Sequence, residues 1–86
     1  MSLARRPSLV VVDDPLPDAS ILSVVVGLRN NKRTSRVPLI VLGVDDTGRE
    51  EEELVDAGAN AYLTKPVDVT RADRIVRGLL ELAVLR

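Results

Sequence analysis

Three short apolar runs punctuate this chain: Leu9-Val10-Val11-Val12, Leu39-Ile40-Val41-Leu42 and Ala61-Tyr62-Leu63. Each is too short for a core helix. The first two are continuous rather than alternating, the pattern of strands buried on both faces. The segment after the first run is ambiguous. Val24-Val25-Val26 favours a strand by β-branching, whereas Ile21, Leu22, Val25 and Leu28 recur at helical spacing. The spacing predicts a helix from Ile21 to Arg29, with Ser20 as its cap.

Pro15 and Pro17 close the first strand and open a loop, and Asn30 to Arg36 is polar throughout. Asp45-Asp46-Thr47-Gly48 is turn chemistry. A second helix is expected from Arg49 to Ala57, with its acids in the first turns, where the helix dipole favours them. Gly58 stands at the C-cap position. The Glu50 to Glu53 run reads as a solvated face. A third helix, capped by Asp68 or Thr70, is expected to reach about Leu85. Its apolar stripe is Ala72, Ile75, Val76, Leu79, Leu82 and Ala83, with Arg71, Asp73, Arg74, Arg77 and Glu81 mostly off it. Strands alternating with helices predict an α/β fold with a parallel sheet.

Composition narrows the function classes. The 86 residues suit one domain with a modest core. That core must be aliphatic, because Tyr62 is the only aromatic residue. A net charge of -1, from 12 basic and 13 acidic residues, gives no footprint for nucleic acid or an anionic membrane. Without histidine there is no Ser-His triad, His-bearing metal site or phosphohistidine relay on this chain. The lack of cysteine fits a reducing, cytoplasmic setting. No apolar run approaches the ~18 residues of a membrane span. Residues 1–6 are set apart as an N-terminal extension or cloning remnant, leaving 7–86 as the folded unit.

The order of these segments resembles a response-regulator receiver domain, the phosphate-accepting module of two-component signalling. Ala57-Gly58-Ala59 ahead of Tyr62-Leu63-Thr64-Lys65-Pro66 carries most of the likeness. Pro7 to Asp13 looks like the family's third strand, which ends on the phosphorylated aspartate. Pro17, Leu28-Arg29 and Val37-Pro38-Leu39-Ile40 follow without a gap. The resemblance implies a flavodoxin-like fold, with Asp13 as phosphoacceptor, Lys65 as phosphate contact and a cis bond before Pro66. It also implies Gly43 and Tyr62 as the switch positions. Asp13 and Asp14 are then the candidate ligands for magnesium. A signalling module of this kind is not an enzyme; its partners are a histidine kinase, an output protein or a second copy of itself.

The departures shape the expectation. The chain has room for three βα units, about the last 3-4-5 part of the family's 2-1-3-4-5 sheet. The family's first strand brings the acidic pair that holds magnesium. Its Ser or Thr after the fourth strand is Gly43 here, and its Asp-Gly before the third helix is Ser20-Ile21. In a second alignment, Asp13-Asp14 is the acidic doublet of a first strand, with the middle of the module deleted. The leading expectation is a degenerate receiver acting by protein contact, with an apolar first-strand edge that favours self-association. The alternatives are a phosphorylatable receiver completed by another chain and a small α/β ligand-binding module. No Gly-rich strand–helix turn speaks for the last.

Overall fold

A computed structural model describes residues 8–84, with side chains through Leu80. The terminal extension, the reach to Leu85 and the Leu82 and Ala83 side chains lie outside the described residues.

The chain alternates strand and helix three times: β1 (Val10–Asp13), α1 (Ile21–Asn30), β2 (Leu39–Gly43), α2 (Arg49–Ala57), β3 (Ala61–Thr64) and α3 (Val69–Val84). The strands form one parallel sheet in the order β1-β2-β3. Val12 pairs with Val41, and Val41 with Tyr62. Strand alternation sorts these side chains onto one face. There Val12, Leu39, Val41 and Tyr62 make the core with Val25 of α1, Leu54 of α2 and Ala59.

The ambiguous segment is a helix. Ser20 Oγ accepts the Ser23 amide at 3.0 Å, capping α1, and fully buried Val25 pins its apolar face. Burial against the sheet outweighs the β propensity of the valine triplet. Gly58 closes α2 in a left-handed conformation, φ 125°, and its amide meets the Leu54 and Val55 carbonyls. Asp68 rather than Thr70 caps α3, its Oδ1 taking the Arg71 amide at 3.1 Å.

The expectation of a first strand buried on both faces does not hold. Val12 is buried, but Val11 is 51% exposed. Val11 shares its face with Ile40 and Leu63, which are buried. The cover on that face therefore reaches β2 and β3 and stops short of β1, which has a neighbour on one side only among the described residues. On α3, Ala72, Ile75, Val76 and Leu79 are half-buried as the stripe predicts, while Arg71, Asp73, Arg74 and Arg77 are exposed.

Candidate functional site

Parallel strands place all their C-terminal ends on one edge of the sheet, where open α/β folds build ligand sites. Asp13 ends β1 and Lys65 follows β3. Lys65 Nζ forms an ion pair with Asp13 Oδ1. It also donates to the Asp14 main-chain carbonyl at 2.7 Å. The two residues proposed for phosphate chemistry, far apart in sequence, are thus brought together. The Asp13 side chain is 68% exposed and that of Lys65 32%, so the pair adds little to stability, about 0–1 kcal/mol. Its value is positional: an exposed carboxylate with an ammonium held beside it. The Lys65–Pro66 peptide is cis, and so is Asp14–Pro15.

The Asp14 carboxylate faces Glu50 at the start of α2. This corrects the reading of Glu50 to Glu53 as one solvated face. Glu51, Glu52 and Glu53 are exposed, but Glu50 is half-buried. Its Oε2 accepts the Tyr62 hydroxyl at 3.2 Å. Burial raises the Glu50 pKa above the ordinary 4.5, and the adjacent Asp14 carboxyl raises it further.

Asp45 organises the turn between β2 and α2. Its Oδ1 accepts the Thr47 amide at 2.9 Å and the Thr47 hydroxyl at 2.7 Å. Its Oδ2 accepts the Glu50 amide at 2.9 Å. These bonds, the Thr47 amide first, hold its pKa below the usual aspartate range. They also supply α2 with the cap that Gly48, at φ 86°, cannot.

Tyr62 lies in the core, 5% exposed. Its hydroxyl accepts the Asp45 amide at 3.1 Å while donating to Glu50. Burial raises its pKa above the ordinary tyrosine value. The ring occupies the space over Gly43: a Cβ built there would overlap the hydroxyl and Cζ and lie 2.7 Å from Cε2. The two switch positions are therefore in direct steric register.

As a metal site, the edge is sparse. Among the described residues no group of three or more His, Cys, Asp or Glu side chains could hold a metal ion. Asp13 pairs with Lys65 through one oxygen and Asp14 lies beside Glu50, so these carboxylates form no cluster of three with further acidic side chains among the described residues.

Glu50 yields a prediction. The folded chain holds its proton more tightly than the unfolded chain. The stability linked to the protonated form is complete below the ordinary glutamate value and is lost as pH rises through the raised one. Glu50→Gln, uncharged at every pH and still able to accept from Tyr62, should melt higher than wild type at neutral pH. The gain should fade on acidification through the glutamate range. Calorimetric melts across that range check this; a pH-independent difference would rule out the Asp14–Glu50 repulsion.

Sequence reasoning missed Arg29. This half-buried guanidinium donates to the carbonyls of Gly58 (2.8 Å), Thr34 (2.9 Å) and Val37 (2.7 Å), and to Asn60 Oδ1 (2.9 Å). Asn60 Oδ1 also accepts the Leu39 amide at 2.8 Å. Arg29 thereby ties α1, the following loop and the α2–β3 turn to the N-terminal end of the sheet, opposite the candidate site. Its signals were its place beside Leu28 in the resemblance and its position as a basic residue ending an apolar helix.

No family model matches the chain. The DNA-binding dual master transcriptional regulator RpaA of Synechocystis is 32% identical over 80 residues, covering 93% of this chain and 33% of that protein. The polar-differentiation response regulator DivK of Brucella anthropi is 30% identical over 82 residues, covering 93% of this chain and 67% of its own length. Among solved structures, the receiver domain of a sensor histidine kinase from Pseudomonas aeruginosa PAO1 superposes with a TM-score of 0.78 at 27% identity. The match covers 91% of this chain and 64% of that domain, which was solved with magnesium coordinated in its active-site cleft. The chain thus spans a third of one curated relative and about two thirds of the other. Strand order, the Asp13–Lys65 edge and these likenesses agree: the chain belongs to the response-regulator receiver family of two-component signalling.

Proposed function

We propose that this receiver module, residues 7–86, acts as a cytoplasmic signalling element through protein–protein contact, without phosphotransfer through Asp13 and without enzymatic activity. The observation that carries this reading is the composition of the C-terminal edge. Asp13 and Lys65 meet there, but the described residues assemble no carboxylate cluster that could hold a divalent cation. A carboxylate attacking a phosphoryl group must approach a dense negative charge. Lys65 alone offers one positive charge, where phosphoryl transfer ordinarily relies on a metal ion as well. The partner is a protein, a kinase or an output component. The exposed edge of β1 also suits a second copy of the chain.

One observation favours a second reading. Lys65 is already held against Asp13, the arrangement a phosphoryl site needs. If another polypeptide supplied the cation ligands, Asp13 would become the acceptor and magnesium the cofactor.

Incubation with acetyl phosphate and magnesium, followed by intact-mass measurement, separates the two. The expected result is a chain left mostly unmodified. A stoichiometric phosphoryl adduct that disappears in Asp13→Asn would overturn the contact-only reading.

A further inference from the structure

We propose that β1 is the contact surface of a two-fold dimer, in which the β1 strands of two copies pair antiparallel about Val11 and join their sheets into one. This deepens the contact reading above by committing the β1 edge to a second copy of the chain. It rests on that reading only for its part in signalling.

The hydrogen bonds of β1 show which groups are left over. The Val10 amide bonds the Pro38 carbonyl at 2.9 Å, and the Asp14 amide bonds the Leu42 carbonyl at 2.8 Å. A strand directs the main-chain groups of alternate residues to opposite sides, so Val10, Val12 and Asp14 face β2. Leu9, Val11 and Asp13 turn their N–H and C=O groups the other way, where no strand lies among the described residues. Lys65 leaves this row free, because it takes the Asp14 carbonyl and the Asp13 side chain. Val11 itself, half-exposed, stands on the sheet face whose cover stops short of β1.

What fits this row is the row itself. Antiparallel pairing about Val11 sets Val11 against the partner's Val11, and Leu9 against the partner's Asp13. Each such pair exchanges both of its main-chain hydrogen bonds. The sequence marks the same centre: Pro7 and Pro15 stand four residues to either side of Val11. Neither has an N–H with which to extend the ladder. The two Val11 side chains then lie side by side, ~4.5–5.5 Å apart at Cβ, and each covers the other. Charge selects the direction. Antiparallel pairing keeps the two Asp13 carboxylates at opposite ends of the ladder, whereas in-register parallel pairing would set them against each other. The two-fold also closes the contact at two copies, so each edge is occupied and no fibre grows.

Sedimentation equilibrium should show monomer converting to dimer as concentration rises through the micromolar range. Amide hydrogen exchange by NMR at both ends of that range identifies the surface. The Val11 and Asp13 amides should exchange several-fold more slowly in the dimer, while the Val10 and Asp14 amides, bonded to β2, stay equally protected. Val11→Lys places a charge at the centre of the ladder and leaves the β1–β2 bonds intact. Checked for folding by circular dichroism, it should stay monomeric. A wild-type chain that is monomeric throughout overturns the proposal. So does a dimer whose Val11 and Asp13 amides exchange as they do in the monomer, or a folded Val11→Lys that dimerises like wild type. If Val11→Lys does not fold, the wild-type exchange pattern decides. Phosphorylation of Asp13 by acetyl phosphate would refute the contact-only reading and leave the dimer standing. An unmodified monomer would refute the dimer and leave the contact reading with a different protein as partner.

Discussion

Arg29→Met should lower stability by about 3–5 kcal/mol, a large share of the ~5–15 kcal/mol available to a small domain. Methionine keeps most of the aliphatic stem and removes every donor. Three backbone carbonyls and the Asn60 amide oxygen then lose the same partner at once. Two of these acceptors, on Thr34 and Val37, belong to buried residues. A buried acceptor without a partner costs about 1–3 kcal/mol, so the loss is set by what is left behind as well as by what is removed. Partial burial lowers the Arg29 pKa, and that desolvation is a cost the four acceptors offset. Removing the charge returns some of it, which keeps the estimate below the sum of four bonds. At ~4–8 °C per kcal/mol for a domain of this size, the melting temperature should fall by tens of degrees. A drop of only a few degrees in calorimetry would show that water replaces the guanidinium without penalty.

Gly58→Ala should cost about 2–4 kcal/mol for two separable reasons. The backbone there is at φ 125°, a region that L side chains occupy only with strain of ~1–3 kcal/mol. The new methyl would also lie 2.6 Å from Arg29 Cγ. That methylene cannot swing aside, because the head of the same side chain is held at four points. The alanine therefore strains its own backbone and dislodges Arg29. The two substitutions share one structural consequence, so their effects should not add. Denaturant melts of both single variants and the double variant check this. A double-variant loss equal to the sum would mean that Gly58 and Arg29 act independently.

These two residues mark what sequence could and could not show. Gly58 was legible, because a glycine after an amphipathic acidic helix has one common use, and the turn formed there. Arg29 was not, because three of its four acceptors are backbone carbonyls, which every residue carries and no sequence pattern flags. The strands and helices were legible from apolar spacing to within about a residue at each end that the described residues include. The exposure of Val11 was not, because it depends on how far the cover over that face extends. The candidate edge was half legible. Asp13 and Lys65 were found through the resemblance, and the fold brings them into contact. Glu50 was hidden within a run of four identical side chains. Only the start angle of α2 singles out the first of them for the Tyr62 hydroxyl. Gly43 and Tyr62 were legible through the resemblance as the two switch positions, and Gly43 as a site of close approach or of a lost hydroxyl. Which side chain fills the space over that glycine, the Tyr62 ring, is a matter of volume that letters do not carry.

Strand order in this sheet equals chain order, and that fixes a timetable as well as a shape. Each βα unit pairs only with the unit made just before it, so a nascent chain can join β1 to β2 before β3 has been synthesised. Loop closure between neighbours stays short, which keeps its entropic cost modest and favours rapid, stepwise growth. The sheet lengthens at its β3 side while its β1 side, among the described residues, is never extended. Among the described residues that margin is present from the first pairing event, so mispairing there is a hazard during synthesis as well as after it.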